Sequence, residues 1–207
     1  MNRDFIVLIG PDGSGKTTIA KELIARRNTS ARIFERNFGI LPPLRKIRYL
    51  FRFNMRDSNT GSENCVDQHL IGMVNRISFV QTIVISLWHL MDCWIGRVLY
   101  WRSFGRQFII FTRYIHDFGY QRVYDNAPSW YGYFLTKIVP RPNFVFCIVS
   151  NASSIYCRKP ELSEAEIDLQ FKKIRKLYSN DDNFHFIDGN GSIDETVAQI
   201  LEYLDKQ

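Results

Sequence analysis

Eight residues near the start of the chain, Gly10-Pro11-Asp12-Gly13-Ser14-Gly15-Lys16-Thr17, spell G-x-x-x-x-G-K-[ST] in full, with Thr18 next. Before them stands Phe5-Ile6-Val7-Leu8-Ile9, an uninterrupted apolar run suited to a buried parallel strand, and Thr17 to Arg27 after them reads as a helix. Strand, glycine-rich turn and helix are the setting in which this pattern cradles a polyphosphate. Gly10, Gly13 and Gly15 let the backbone bend, so that the amides from Gly13 through Thr18 and the positive end of the helix point at phosphate oxygens. In this pattern Lys16 is the residue for the β- and γ-phosphates and the Thr17 hydroxyl is the ligand for Mg²⁺.

At 207 residues with 45% hydrophobic content the chain can bury one sizeable core, which suits a single domain over 1–207 and excludes a disordered tail. A net charge of +6 favours anionic partners, among them nucleotides, nucleic acid and anionic membrane surfaces, without choosing between them. Cys65, Cys93, Cys147 and Cys157 show no C-x-x-C pairing, so buried reduced thiols are expected in place of a zinc site or a disulfide framework. The strand-like run leads straight into the phosphate loop, which leaves no signal peptide, and a cytoplasmic location is expected.

Along the chain, Ile19, Ala20, Leu23 and Ile24 form the apolar face of the first helix. A second strand is expected over Arg32 to Glu35, bringing Glu35, Arg36 and Asn37 to the ligand edge of a parallel sheet. Arg36 is thus either a holder of an acceptor's anionic group or a solvated surface arginine. Leu41 to Arg56 mixes basic and aromatic residues, and Arg45, Arg48 and Arg52 would share one helical face, either a binding surface or an ordinary solvated one. Asp57 to Gln68 reads as a polar loop. Leu70 to Trp101 is the most apolar stretch, broken by polar and charged residues including His89, Asp92 and Arg97. A buried helix pair or one long helix beside the sheet is expected, with membrane contact left open. Asp92, a carboxylate within so apolar a helix, demands a partner or a site to face.

Gln107 to Phe111 is the next strand and delivers Thr112-Arg113-Tyr114-Ile115-His116-Asp117 to the ligand edge. Phe118 to Val139 is densely aromatic and is expected to pack on the sheet, with an acceptor pocket wall as the other use. Phe144 to Val149 and Phe184 to Asp188 are the last two strands. Ser163 with Glu166, and Ser192 with Glu195, have the spacing of capping boxes that open two helices. Five strands alternating with helices predict a three-layer α/β P-loop NTPase fold with a five-stranded parallel sheet.

The phosphate loop, Arg113-Tyr114 after an apolar strand, and Arg158-Lys159-Pro160-Glu161-Leu162 after a later one together resemble a thymidylate kinase-like protein. The similarity is greatest to the divergent members associated with bacterial surface-polysaccharide gene clusters. The resemblance implies that Arg113 contacts an acceptor phosphate, with Tyr114 beside it, and that Asp12 faces the acceptor's sugar. It places a short lid around 157–163, in which Arg158 stabilises charge on the donor phosphates, and a donor-base site at Asp188 to Ser192. Where thymidylate kinases carry Asp-Arg-Tyr, this chain has Thr112, and Asp117 either supplies the missing charge or caps a helix. Family members are often dimers, so a homodimer is a further implication.

These readings converge on ATP- and Mg²⁺-dependent phosphoryl transfer to a small acceptor: dTMP, another nucleoside monophosphate, or a sugar or polyol phosphate of envelope-polysaccharide assembly. Thr112 motivates an alternative, a catalytically weak nucleotide-binding protein that acts as a regulator or partner. The basic stretch Arg45 to Arg56 motivates the less favoured one, a nucleic-acid binder.

Overall fold

Strands that are apolar at every position have no wet face and must be covered on both sides. The structure, a computed structural model, describes residues 5–27, 31–35, 38–42, 77–103 and 108–206. Its strands are β1 (Phe5–Ile9), β2 (Ala31–Phe34), β3 (Phe108–Phe111), β4 (Phe144–Val149) and β5 (Phe184–Asp188). They pair in the order β2-β3-β1-β4-β5 and every pairing is parallel, so all five carboxyl ends share one edge. The chain leaves β1 for the far edge of the sheet and returns to its two sides with β3 and β4, which opens a crevice at the end of β1.

Alternation along β1 divides the core. Ile6 and Leu8 face one layer with Ile110, Phe146 and Ile148, where α1 (Lys16–Arg27) and α7 (Ile193–Asp205) contribute Ile19, Leu23, Val197, Ile200 and Leu204. Phe5, Val7 and Ile9 face the other layer, built from α2 (Phe79–Ser103), α3 (Asp117–Tyr120), α4 (Ser129–Ile138), α5 (Ala152–Arg158) and α6 (Glu164–Tyr178). Each fully buried aliphatic or aromatic side chain contributes about 1.5–3 kcal/mol. This is the three-layer α/β architecture. Both capping boxes are present, Ser163 with Glu166 and Ser192 with Glu195.

Two expectations are corrected, and one alternative is decided. The strand expected over Arg32 to Glu35 runs one residue earlier, so Glu35 stands free at the ligand edge. Cys93 and Cys147 are buried thiols, whereas Cys157 is exposed on α5. The described part of the apolar stretch is one helix, α2, about 37 Å long. Between Phe79 and Leu99 its length and mean hydropathy of 1.3 would suit a membrane span, yet a third of that window is buried inside this fold. Leu90 and Cys93 are in the core, while Val80, Leu87, Met91, Trp94 and Val98 are exposed.

Asp92 is fully buried, and its carboxylate accepts the backbone N–H groups of Gly39, Ile40 and Leu41. These three hydrogen bonds fasten the segment after β2 to α2. Arg36, the basic segment Arg45 to Arg56 and the polar loop Asp57 to Gln68 lie outside the described residues.

Candidate active site

The crevice predicted by the strand order is a cleft of ≈ 990 Å³. Four elements converge on it. The phosphate loop and the start of α1 contribute Asp12 through Thr18, the edge of β2 and β3 contributes Glu35, Thr112 and Arg113, the end of α5 contributes Arg158 with Lys159, and the turn after β5 with the first turn of α7 contributes Gly189, Gly191, Ile193 and Thr196.

Gly10 (φ +141°) and Gly13 (φ +91°) take backbone conformations that side chains rarely adopt. A Cβ on Gly13 would meet Lys159 Cβ at 3.1 Å and Ile155 Cγ2 at 3.3 Å, so the loop and the end of α5 close on each other there. The amino end of α1 begins at Lys16 and opens into the cleft, bringing unpaired amides and the positive helix end together.

Lys16 is buried, and its ammonium donates to Gly10 O at 2.8 Å, Pro11 O at 2.7 Å and Ser14 Oγ at 3.3 Å. Burial pushes its pKa down to about 8, against the opposing pull of the Asp12 and Asp117 charges. Phosphate oxygens are stronger acceptors for this cation than neutral carbonyls. Asp12 lies 4.0 Å from Lys16 and is ion-paired with Arg113. Burial alone would raise the Asp12 carboxyl; the charges of Lys16 and Arg113 outweigh it and hold the group below the usual carboxylate value. Burial would likewise lower the Arg113 pKa, and Asp12 reverses that.

Arg158 lines the cleft with its Nε donating to Ser154 O at 3.2 Å, an anchor that lays the guanidinium along its own helix. Lys159 lines it too and pairs with Glu161 at 3.1 Å. Asp188 caps its own turn, its carboxylate accepting from Asn190 N at 3.0 Å and Asn190 Nδ2 at 2.8 Å, so the neighbouring Gly189 and Gly191 face the cleft instead.

Two acceptor-side candidates are placed elsewhere. Tyr114 is buried, with its hydroxyl donating to Pro140 O at 3.0 Å and its ring packed on Phe5 and Phe111. Asp117 is buried beneath the loop, where it accepts from Tyr120 Oη at 2.7 Å and Gln121 Nε2 at 2.8 Å. Neither is among the residues that line the cleft. Thr112 lines it, held by its N–H to Phe34 O at 2.9 Å.

Glu35 is the cleft residue that the sequence reading placed at the edge without giving it a role. Phe34 stands beside Phe111 in the β2–β3 register, so Glu35 and Thr112 emerge together. The missing signal was the last register pair, which sequence periodicity does not supply. His116 and Tyr178 are buried and are not among the residues that line the cleft; the His116 carbonyl accepts from Tyr178 Oη at 3.2 Å, and the His116 Nδ1 has no hydrogen-bond partner.

No protein-family model and no curated protein sequence matches the chain. Solved structures do. A thymidylate kinase from Ehrlichia chaffeensis superposes with a TM-score of 0.56 at 17% identity, over 99% of this chain and 100% of that one. A deoxyadenosine kinase from M. mycoides, solved with bound dATP, gives the same TM-score at 12% identity, over 97% and 99% of the two chains. The chain shares with these two kinases a three-layer α/β P-loop fold. Within that fold the phosphate loop, Arg113 and Arg158, which belong to three separate sequence motifs, line one cleft.

Proposed function

We propose that the protein transfers the γ-phosphoryl group of ATP to a small acceptor whose anionic group is held by Arg113. The observation that carries this reading is one cleft lined by the phosphate loop with Lys16, by Arg113, which is ion-paired with Asp12 of that loop, and by Arg158 and Lys159 from the end of α5. Donor and acceptor phosphates bound among these cations would be brought together for in-line transfer.

The donor triphosphate lies along the loop and the end of α1, where Lys16 leaves the loop carbonyls for the β- and γ-phosphates. Its base sits by Gly189 and Gly191, mainly through backbone groups. Arg158, with Lys159 in support, neutralises charge as it moves to the leaving group, a task suited to a planar fork. The segment 157–163 that carries them acts as the short lid of a single kinase domain. The oxygen donors in the cleft, the Thr17 hydroxyl with the Asp12 and Glu35 carboxylates, suit Mg²⁺, which takes few protein ligands and keeps waters and phosphate oxygens. Thr17 would hold it, and the ion would supply charge neutralisation between donor phosphates. Arg113 orients an acceptor phosphate, whose oxygens attack without a strong base.

Glu35 favours a second reading. A carboxylate at the acceptor side of the cleft is placed to take a proton from a hydroxyl acceptor, a nucleoside, sugar or polyol. The deoxyadenosine kinase among the solved structures is a protein named for such an acceptor.

The test is ATP turnover with Mg²⁺ against dTMP, other nucleoside monophosphates, sugar and polyol phosphates of envelope assembly, and free nucleosides and sugars, with Lys16→Ala as the blank. Transfer to a phosphate compound that disappears in the blank supports the main reading, and transfer to free hydroxyl compounds alone supports the second. ATP binding with no transfer to any acceptor makes the protein a nucleotide-binding regulator or partner instead.

A further inference from the structure

Beneath the phosphate loop runs a buried chain of hydrogen bonds that phosphoryl transfer as derived above does not use. Tyr120 is 1% exposed, and its hydroxyl is the only polar atom its side chain has. That oxygen lies 2.7 Å from Asp117 Oδ1 and 3.2 Å from Gly10 O, and the Gly10 N–H donates to it at 3.4 Å. One hydroxyl carries one proton. The shorter, charge-assisted contact takes it to the Asp117 carboxylate, which leaves the oxygen to accept from Gly10 N–H. The other Asp117 oxygen is fixed by Gln121, and the carbonyl of Gly10 accepts from Lys16. An unbroken path therefore joins α3 to Lys16 through Gly10, a residue 110 positions from Tyr120 in sequence.

Gly10 has no side chain to hold it. A Cβ there would meet Ser14 Oγ at 3.0 Å and Ile148 O at 3.1 Å, so no side chain can pack this residue into place. Its unusual φ would be entropically costly to fix without partners for its amide. The neighbouring groups agree with this placement, since the Asp117 charge, after that of Asp12, opposes the lowering of the Lys16 pKa by burial and adds to the raising of the Arg113 pKa.

We propose that Asp117 and Tyr120 are positioning residues for the donor triphosphate: the carboxylate orients the tyrosine hydroxyl, the hydroxyl fixes the Gly10 peptide, and Gly10 sets the loop curvature from which Lys16 acts. Asp117 then serves the donor from behind the loop and touches neither substrate. The proposal rests on the reading of the cleft as a nucleoside triphosphate site.

The effect must be specific to the β- and γ-phosphates, which a purely structural role would not make it. Dissociation constants of MgATP and of AMP, which lacks those phosphates, are measured by calorimetry on the full chain, with circular dichroism as the check of folding. Tyr120→Phe removes one oxygen and keeps the ring. It is expected to weaken MgATP about tenfold, the loss of one buried hydrogen bond, and to change AMP less than about twofold. Asp117→Asn keeps an acceptor for the hydroxyl and is expected to lose less MgATP affinity than Asp117→Ala. Unchanged MgATP affinity in Tyr120→Phe, or parallel weakening of MgATP and AMP, overturns the strut while the triphosphate reading stands. Wild-type protein that binds no MgATP overturns that reading, and the strut with it. Should the Asp117 variants not fold, Tyr120→Phe alone decides.

Discussion

Asp12 of the phosphate loop and Arg113 from the end of β3, 101 residues apart in sequence, form an ion pair inside the cleft. It joins the phosphate loop to the end of β3, and on the proposed reading it occupies the guanidinium that an acceptor phosphate would need. Binding such an acceptor is thus an exchange of one anion for another at Arg113.

Asp12→Asn removes the competitor and leaves Arg113 in place. A phosphate-bearing acceptor is expected to show a several-fold lower KM in this variant, read from steady-state kinetics at saturating ATP. Arg113→Met is expected to raise that KM by more than about tenfold, the loss of a charged hydrogen bond, with MgATP affinity little changed. A KM for the acceptor that ignores both substitutions would remove Arg113 from the acceptor site.

His116 gives the fold a defined acid sensitivity. It is buried against Tyr114 and Tyr178, its Nδ1 lacks a hydrogen-bond partner, and burial pushes its pKa down to about 4 despite the nearby Asp181, with Lys137 adding to the depression. The unfolded chain, with an ordinary histidine pKa near 6.5, binds the proton first as pH falls. Stability from this group is therefore intact above pH of about 6.5 and is lost progressively down to pH of about 4, by about 3 kcal/mol in total. His116→Leu cannot charge, so its urea-unfolding free energy should fall less than that of the wild type over this interval. Identical slopes for the two proteins would refute the assignment.

α3 and α4 meet backbone to backbone. A Cβ on Gly132 would lie 2.3 Å from Gly119 Cα and 2.5 Å from Gly119 N, and neither atom can rotate away. Gly132→Ala must push the helices apart, at a cost near the upper end of overpacking, about 3 kcal/mol. For comparison, Gly191→Ala meets mainly Glu195 Oε2, the end of a flexible side chain, and is expected to cost less than about 1 kcal/mol. The midpoint of chemical unfolding checks both.

What the sequence disclosed follows from where each force acts. β1 and β4 are buried on both faces, and their unbroken apolar runs read as strands without any partner in view. The two capping boxes lie within four residues each and were equally plain. Asp92 announced a need for partners, but those partners are backbone amides 51 to 53 residues away, and spacing carries no trace of them. Tyr120 looked like one more aromatic of the sheet layer. Its hydroxyl acquires a role only because α3 folds under the end of β1, a tertiary fact. Asp117, for which the sequence left open a charge at the site or a helix cap, is turned inward as the first residue of the short α3, a placement that spacing does not disclose.

Glu35 separates the two classes of acceptor. It and Thr112 emerge side by side at the sheet edge, and Glu35 lines the same cleft as Arg113. An acceptor phosphate brings its own nucleophilic oxygen, already ionised near neutral pH, so a carboxylate nearby contributes repulsion and no needed proton transfer. On that chemistry Glu35→Gln should lower the acceptor KM while kcat changes less than about tenfold. A hydroxyl acceptor must lose a proton as it attacks, and removing a general base from such a reaction costs about 10²–10⁴ in rate. We expect the first pattern, because Arg113 in the same cleft supplies the cation that a phosphate requires. A kcat loss of about a hundredfold or more, with MgATP affinity unchanged, would transfer the acceptor to the hydroxyl class and make Glu35 its base.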